Sequence, residues 1–216
     1  MTVSEIAPTA PQRLRRRRGP GEPDGRQARR LRTRTAMIEA FLDLIRERDA
    51  VPTAVQIAGR AGCSTRLVFE RFADFIQLAL AAFDHIIQQG LSVPAGDMVT
   101  RDRATRIAFQ VKVRATNCEK WLPLWRVLMR APPRAQRAFA AKIALVRQLT
   151  RARLELMYAP ELATLAPAER EATLIALEAL TDYEAWGRLR GDHGLSVERG
   201  CAIWERAIDR LLPPSP

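Results

Sequence analysis

Thr53-Ala-Val-Gln56-Ile57-Ala58-Gly-Arg-Ala61-Gly62-Cys63-Ser64-Thr65-Arg66-Leu-Val68-Phe69-Glu70-Arg71-Phe72 is the stretch that decides the fold. Thr53 and Gln56 have the form of a capping box, in which the Thr oxygen and the Gln side chain each satisfy a free backbone N–H. The helix they open can run for only about eight residues, because Ala61-Gly62-Cys63-Ser64 follows. Gly62 supplies a turn conformation and Ser64 can cap the next helix, which is equally short and ends near Arg71. Ile57 and Ala58 face inward from the first helix, and Val68 and Phe72, at i and i+4, face inward from the second. Ala61 and Gly62 let the two backbones approach. Thr65, Arg66, Phe69, Glu70 and Arg71 remain outward, a set with donors for base edges and phosphates. Two very short helices joined through a glycine turn and braced by a longer one predict a helix-turn-helix.

Upstream, residues 1–30 are rich in Pro, Gly and Arg with almost no periodic apolar content, which predicts a disordered basic arm. From about Thr33 a helical period sets in, with Met37, Phe41, Leu44 and Ile45 on one face. Downstream, Asp74-Phe-Ile-Gln77 predicts a capped helix to about Gln89, broken by Gly90-Leu-Ser-Val-Pro-Ala-Gly96. The remainder reads as helical throughout. Thr100 is expected to cap a helix carrying Ile107, Val111 and Ala115. A separate helix near 119–130 carries Trp121, Leu124, Trp125 and Leu128, with Pro123 in its first turn. A long helix follows Pro133 through Phe139, Ile143, Val146, Leu149 and Met157. Pro167 opens one that runs through Leu174, Leu177, Leu180 and Trp186, and Ser196 caps the last, with Val197, Cys201, Trp204, Ile208 and Leu211 on one face. The expectation is an all-α chain of about nine helices: an arm at 1–30, a helix-turn-helix domain at 31–78, and a helical C-terminal domain at 79–216.

The net charge of +11 is unevenly spread, with +7 on residues 1–34, −2 on residues 35–84 and +6 on the rest. Arg makes up 32 of the 35 basic residues, so the high isoelectric point is weak evidence of a nucleic-acid partner by itself. No apolar run approaches the length of a membrane span, and no apolar segment follows the N-terminal arginines as in a secretory signal. Three scattered cysteines, Cys63, Cys118 and Cys201, suit neither a disulfide framework nor a zinc module and fit a reducing cytoplasm. With no paired catalytic motif, no nucleotide-binding glycine loop and only two histidines, the sequence points away from an enzyme. His85 and His193 have no spaced partners that would suggest a metal. No cofactor is expected.

Residues 34–78 resemble the DNA-binding domain of the tetracycline-repressor (TetR-type) family. The resemblance lies in Ile57-Ala58, Ala61-Gly62-Cys63-Ser64, Leu67-Val68-Phe69, Phe72 and Leu78. Pro167-Ala-Glu-Arg, Tyr183-Glu-Ala-Trp186, Leu189-Arg190 and Gly194-Leu195-Ser196 also resemble the C-terminal helix pair of one branch of the family. Three positions depart from the pattern. Phe69 replaces the usual Tyr and lacks its hydroxyl, Phe75 replaces a frequent Lys at the start of the fourth helix, and Cys63 replaces Val as a small apolar residue. Without that hydroxyl and that lysine DNA binding would be weaker, and Arg13 and Arg15–Arg18 of the arm could compensate by reaching a minor groove or tracking phosphates.

The resemblance implies a homodimeric regulator, usually a repressor, on a near-palindromic double-stranded operator, released by a small-molecule effector. The DNA-reading residues would be Arg34, Thr53, Ser64, Thr65, Arg66, Phe69 and Arg71. Phe109, Arg114, Trp121, Trp125 and Met129 could line the effector pocket, with Arg114 suiting an anion, or could simply be core. Trp186, Leu189, Trp204, Ile208 and Leu211 would form the dimer interface. Two alternatives remain: a general or architectural nucleic-acid-binding protein acting mainly through its arm, and an effector-binding protein that has lost DNA reading at Phe69 and Phe75.

Overall fold

The computed structural model describes residues 25–48, 50–90 and 95–215. Over these residues the chain is all-helical, with ten α-helices and one short 3-10 turn. The first four are α1 (Gly25–Arg48), α2 (Ala54–Ala61), α3 (Thr65–Arg71) and α4 (Phe75–Gly90). After the 3-10 turn Gly96–Thr100 come α5 (Arg103–Met129), α6 (Pro133–Met157), α7 (Ala159–Leu162), α8 (Pro167–Leu180), α9 (Tyr183–Gly191) and α10 (Val197–Leu211). The arm residues Arg13 and Arg15–Arg18 lie outside the described residues, as do 91–94 of the expected break after α4.

Several element boundaries differ from those expected. Residues 25–30, expected to belong to a disordered arm, form the first turns of α1. Their Arg, Gln and Ala are good helix formers, so the helix extends there without needing an apolar face. The two helices expected across 100–130 are one, α5, and its cap is Asp102 rather than Thr100: Asp102 Oδ1 accepts from the Thr105 amide at 2.9 Å. Pro123 therefore sits deep inside α5, where it removes one amide from the helical ladder. Burial of Trp121, Leu122, Leu124, Val127 and Leu128 on either side holds the helix together there. Conversely, the helix expected to run from Pro167 to Trp186 is two. Thr181 returns its hydroxyl to the Leu177 carbonyl at 2.8 Å, and Asp182 caps α9 through the Ala185 amide at 2.6 Å.

α5 is the central rod. It packs against α1 at one side and against α6, α9 and α10 elsewhere, while α4 bridges from α1 to α6. One contiguous apolar core runs from Met37 of α1 to Leu212 beyond α10. Near its C-terminal end, Trp186 and Trp204 pack with ring centroids 4.6 Å apart. A Cβ at Gly200 would meet the Trp186 ring at 2.9 Å, so only glycine lets α10 approach α9 this closely. The other anchor is ionic. The fully buried Glu161 of α7 pairs with buried Arg106 of α5 at 2.6 Å and accepts from Ser215 at 2.6 Å. Burial alone would raise the Glu161 carboxyl, but the hydrogen bonds from Arg106 and Ser215 outweigh it and hold the group below the usual carboxylate range. Cys118, fully buried in α5, has its thiol pushed up to about 11 by burial, which makes it inert packing.

Candidate nucleic-acid interface and interior cavity

The helix ends of the helix-turn-helix are set by local hydrogen bonds. Thr53 and Gln56 close the capping box: the Thr53 amide donates to Gln56 Oε1 at 2.8 Å and the Gln56 amide to Thr53 Oγ1 at 3.3 Å. Gly62 ends α2 at φ 64°, the left-handed region where a side chain is strained. Ser64 Oγ then accepts from the Leu67 amide at 3.2 Å and starts α3. Ile57, Ala58, Val68 and Phe72 are buried as expected. A bidentate ion pair between Arg60 and Glu47, both contacts 2.8 Å, ties α2 to α1. Cys63 is half-buried against this core and burial raises its thiol, which suits an apolar spacer better than a reactive group. Phe75 packs edge-on against Phe41 at 5.6 Å, so the residue in the family's lysine position belongs to the core.

The outward face of α3 is then left to solvent. Arg66 is the most exposed of its charged side chains and pairs with Glu70 one turn later at 2.9 Å. Phe69 is 61% exposed, an unusual position for a large apolar ring unless something covers it. Thr65 is half-buried at the start of the helix. Thr53 and Ser64 both commit their side-chain oxygens to caps and are exposed at their helix starts. Arg71 is half-buried, and its Nε has no partner among the described residues.

A groove beside α3 adds to this surface. Arg26, Arg30 and Arg34 recur at i, i+4 and i+8 along one face of α1, and with Gln27, Leu31 and Arg71 they line the groove. The Arg34 guanidinium lies over the Phe72 ring, 5.2 Å from its centroid, while the residue as a whole stays exposed. Four arginines, with no acidic residue among the described residues of the lining, make this a strongly cationic surface.

Behind the three-helix head lies a half-open cavity of about 410 Å³, lined by α4, Ala95, α5, α6 and the start of α9. One face of α5 lines it through Gln110, Arg114, Asn117, Trp121 and Trp125, spaced for helical turns. Phe83, Ile86 and Ile87 come from α4, and Val146, Leu149, Thr150 and Arg153 from α6. Arg114 donates through Nε to the Thr181 carbonyl at 2.6 Å and lies over the Tyr183 ring at 4.7 Å. Tyr183 in turn stacks on Trp125 at 5.2 Å. Arg153 donates to buried Gln110 at 2.8 Å and covers the Phe109 ring at 5.7 Å. Among the described residues, no His, Cys, Asp and Glu cluster could hold a metal ion, and no helix is long and apolar enough to cross a membrane.

No protein-family model matches the chain, and no curated protein matches it by sequence. Its backbone nevertheless superposes on a Rhodococcus sp. protein described as a TetR-family transcriptional regulator, with a TM-score of 0.60 and 19% identity. That alignment covers 83% of this chain and 98% of the other. The chain has a TetR-type fold. A TetR transcriptional regulator from Rhodococcus sp. RHA1 also aligns, with a TM-score of 0.49 and 18% identity over 85% of this chain and 96% of that one.

Within the TetR-type fold, the expected site residues divide. Arg34, Arg66, Phe69 and Arg71 lie on or beside the outward surface, while Thr53, Ser64 and Thr65 sit at helix starts. Arg114, Trp121 and Trp125 line the cavity. Phe109 and Met129 do not: Phe109 lies beneath Arg153, and Met129 packs at the end of α5. The dimer set needs the larger correction. Trp186, Trp204 and Ile208 have no solvent exposure within the single chain and belong to its own core, with Trp204 also lining a shallow groove beside Leu189 and Ile203. Leu189 is half-buried at that groove, and Leu211 is exposed. Gln110, Asn117, Arg153 and Tyr183 join the cavity without having been expected there. The first two are legible as the continuation of the Arg114–Trp125 face, once α5 is taken as one helix. Arg153 and Tyr183 are brought in from other helices and carry no local signal.

Proposed function

We propose that this chain is a DNA-binding transcriptional regulator of the TetR type, a homodimeric repressor whose operator affinity falls when a small molecule fills the interior cavity. The observation that carries the proposal is the uncovered face of α3, with Arg66 and Phe69 outward and a four-arginine groove alongside. Arg66 can exchange its exposed pair with Glu70 for a base edge or phosphate, since such pairs are worth only about 0.3–0.5 kcal/mol. Residues 31–78 would be the reading head and residues 79–216 the effector-binding and pairing part. The resemblance of the sequence and of the fold to TetR-type regulators supports the same reading.

Coupling has a physical route in this reading. Trp121 lines the cavity, and its ring also takes Arg46 of α1 at 6.0 Å and Lys120 at 4.5 Å. α4 both lines the cavity and contacts α1. A ligand that moves Trp121 or α4 therefore acts on the helix that braces the head, with a coupling free energy on the order of 1–3 kcal/mol. For pairing, Ile203 of α10, 43% exposed, shares a groove with Ala179 and Leu189, and Ile175 of α8, 55% exposed, lies one turn before Ala179; this face replaces the buried tryptophans as the expected interface.

Footprinting on DNA from immediately upstream of the protein's own gene, with nonspecific competitor, tests the reading. A protected site of two-fold symmetry is expected, and Arg66→Ala and Arg71→Ala should each cost about 1–3 kcal/mol at it. The basic groove favours a second reading, a general nucleic-acid-binding protein. Binding that is indifferent to sequence, unchanged by Arg66→Ala and steeply salt-dependent would select that one.

A further inference from the structure

α3 presents one apolar side chain among charges. Val68 and Phe72 are buried and Leu67 is half-buried against them, whereas Phe69 belongs neither to the core nor to the side chains packed on it. It is the one large apolar residue of α3 that stays exposed. Arg66, one turn earlier, and the neighbouring Glu70 are exposed beside it and paired to each other. The Phe69 ring has no hydrogen-bonding atom, so a phosphate oxygen or a polar base edge gives it nothing. A protein partner covering the ring would have to bury Arg66 and Glu70 with it, and one ring does not offset that desolvation.

The major groove of B-DNA meets these requirements. Its edges carry donors and acceptors and one kind of apolar group, the C5-methyl of thymine. The seven residues of α3 rise about 10 Å, within the roughly 12 Å width of that groove. Arg26, Arg30, Arg34 and Arg71, in the groove alongside, bring positive charge to the phosphates that would flank it. We infer that Phe69 is a specificity-determining residue that reads thymine, its ring packed on the C5-methyl in each half-site. A cytosine at that position presents a bare C5–H and leaves the ring without its contact. The inference rests on the proposed reading of α3 as the base-contacting helix.

The test begins by selecting sites for the full chain from a random duplex library at near-physiological salt. Each thymine of the selected site is then replaced singly by deoxyuridine, which pairs with adenine in the same way and lacks only the methyl. Anisotropy titrations are expected to find one thymine per half-site whose replacement weakens binding about fourfold, the effect of losing one buried methyl-sized group. Phe69→Ala should weaken the thymine site and bind the thymine and deoxyuridine duplexes equally. Phe69→Leu, which keeps an apolar contact, should keep part of the difference. A 5-methylcytosine pair at that position should outbind the plain cytosine pair with Phe69 present, and match it with Phe69→Ala. Because Phe69 lies outside the core, both variants should unfold at the wild-type temperature. A selected site without a thymine, or one at which no deoxyuridine replacement matters, overturns the inference. So does a methyl effect of the same size with and without Phe69. Phe69→Ala that binds DNA as wild type does also overturns it, including the case in which light scattering shows a dimer split into single chains. Failure to select any site removes the base-contacting helix and this inference together, so the emergence of a site tells the two failures apart.

Discussion

Gly200 and Glu161 show how much can rest on one atom. Adding a Cβ at Gly200 drives it to 2.9 Å from the Trp186 ring, and Trp186 is itself held by the Trp204 ring and by a 2.7 Å hydrogen bond from its Nε1 to Glu119. Gly200→Ala should therefore destabilise by about 1–2 kcal/mol, overpacking outweighing the gain in helix propensity. Gly59→Ala, in a helix of the same chain with nothing within 4 Å of its added Cβ, should instead stabilise by about 0.5–1 kcal/mol. Urea midpoints of the two variants should move in opposite directions. For Glu161, replacement by Gln leaves Arg106 buried without its countercharge and should cost about 3–5 kcal/mol at neutral pH. The carboxyl is held below its unfolded value of about 4.3, so its contribution is complete above that pH and is lost as pH falls through the lower folded value. The gap in unfolding temperature between wild type and Glu161→Gln should accordingly narrow as the pH is lowered from about 5 to about 3.

At the scale of the helix, α1 and α5 carry the lessons. The basic face of α1 predicts that Arg26→Ala with Arg30→Ala lowers DNA affinity for any sequence alike and flattens the dependence of log affinity on log salt by about 0.9 for each phosphate left unneutralised. Anisotropy titrations on operator and scrambled DNA at several salt concentrations would read this, and a sequence-dependent effect would place those arginines at bases instead. The short helices are fully legible, because caps and a left-handed glycine are chemistry written in adjacent residues: Thr53, Gln56, Gly62 and Ser64 all act as their types dictate. α5 is not, because a proline normally stops a helix and only the tertiary burial around Pro123 overrides it. That one boundary also hides the cavity, since Gln110, Arg114, Asn117, Trp121 and Trp125 align as one face only when the helix is continuous. The break at Thr181-Asp182 is hidden in the opposite sense, since Leu180 and Trp186 fit one helical period across it.

For the whole molecule, the proposed homodimer raises the issue of which surface a second copy would cover. Sequence periodicity marks an apolar face of α10 but does not say whether the rest of the chain or a partner buries it, and here the chain buries Trp204 and Ile208 itself. Ile175 of α8 and Ile203 and Leu211 of α10 stay exposed. Ile203→Arg should leave the unfolding temperature of the folded chain nearly unchanged while shifting its mass by light scattering from two chains to one, and a mass that stays at two would move the interface elsewhere. The cavity is legible only in kind, as aromatic side chains and an arginine in the right part of the chain, because its walls converge from four helices that are distant in sequence.

On the proposed reading, α1 would also have a mechanical role set by its length. Arg46, close to the cavity wall at Trp121, and Arg26, in the basic groove, are separated by 20 residues of one uninterrupted helix, roughly 30 Å by helical rise. A rod of that length is a lever. A tilt of about 5° about the Trp121 end carries the other end through about 2.5 Å, close to the length of a hydrogen bond. The far arginines would thus let go of a rigid partner long before anything near the cavity had visibly rearranged.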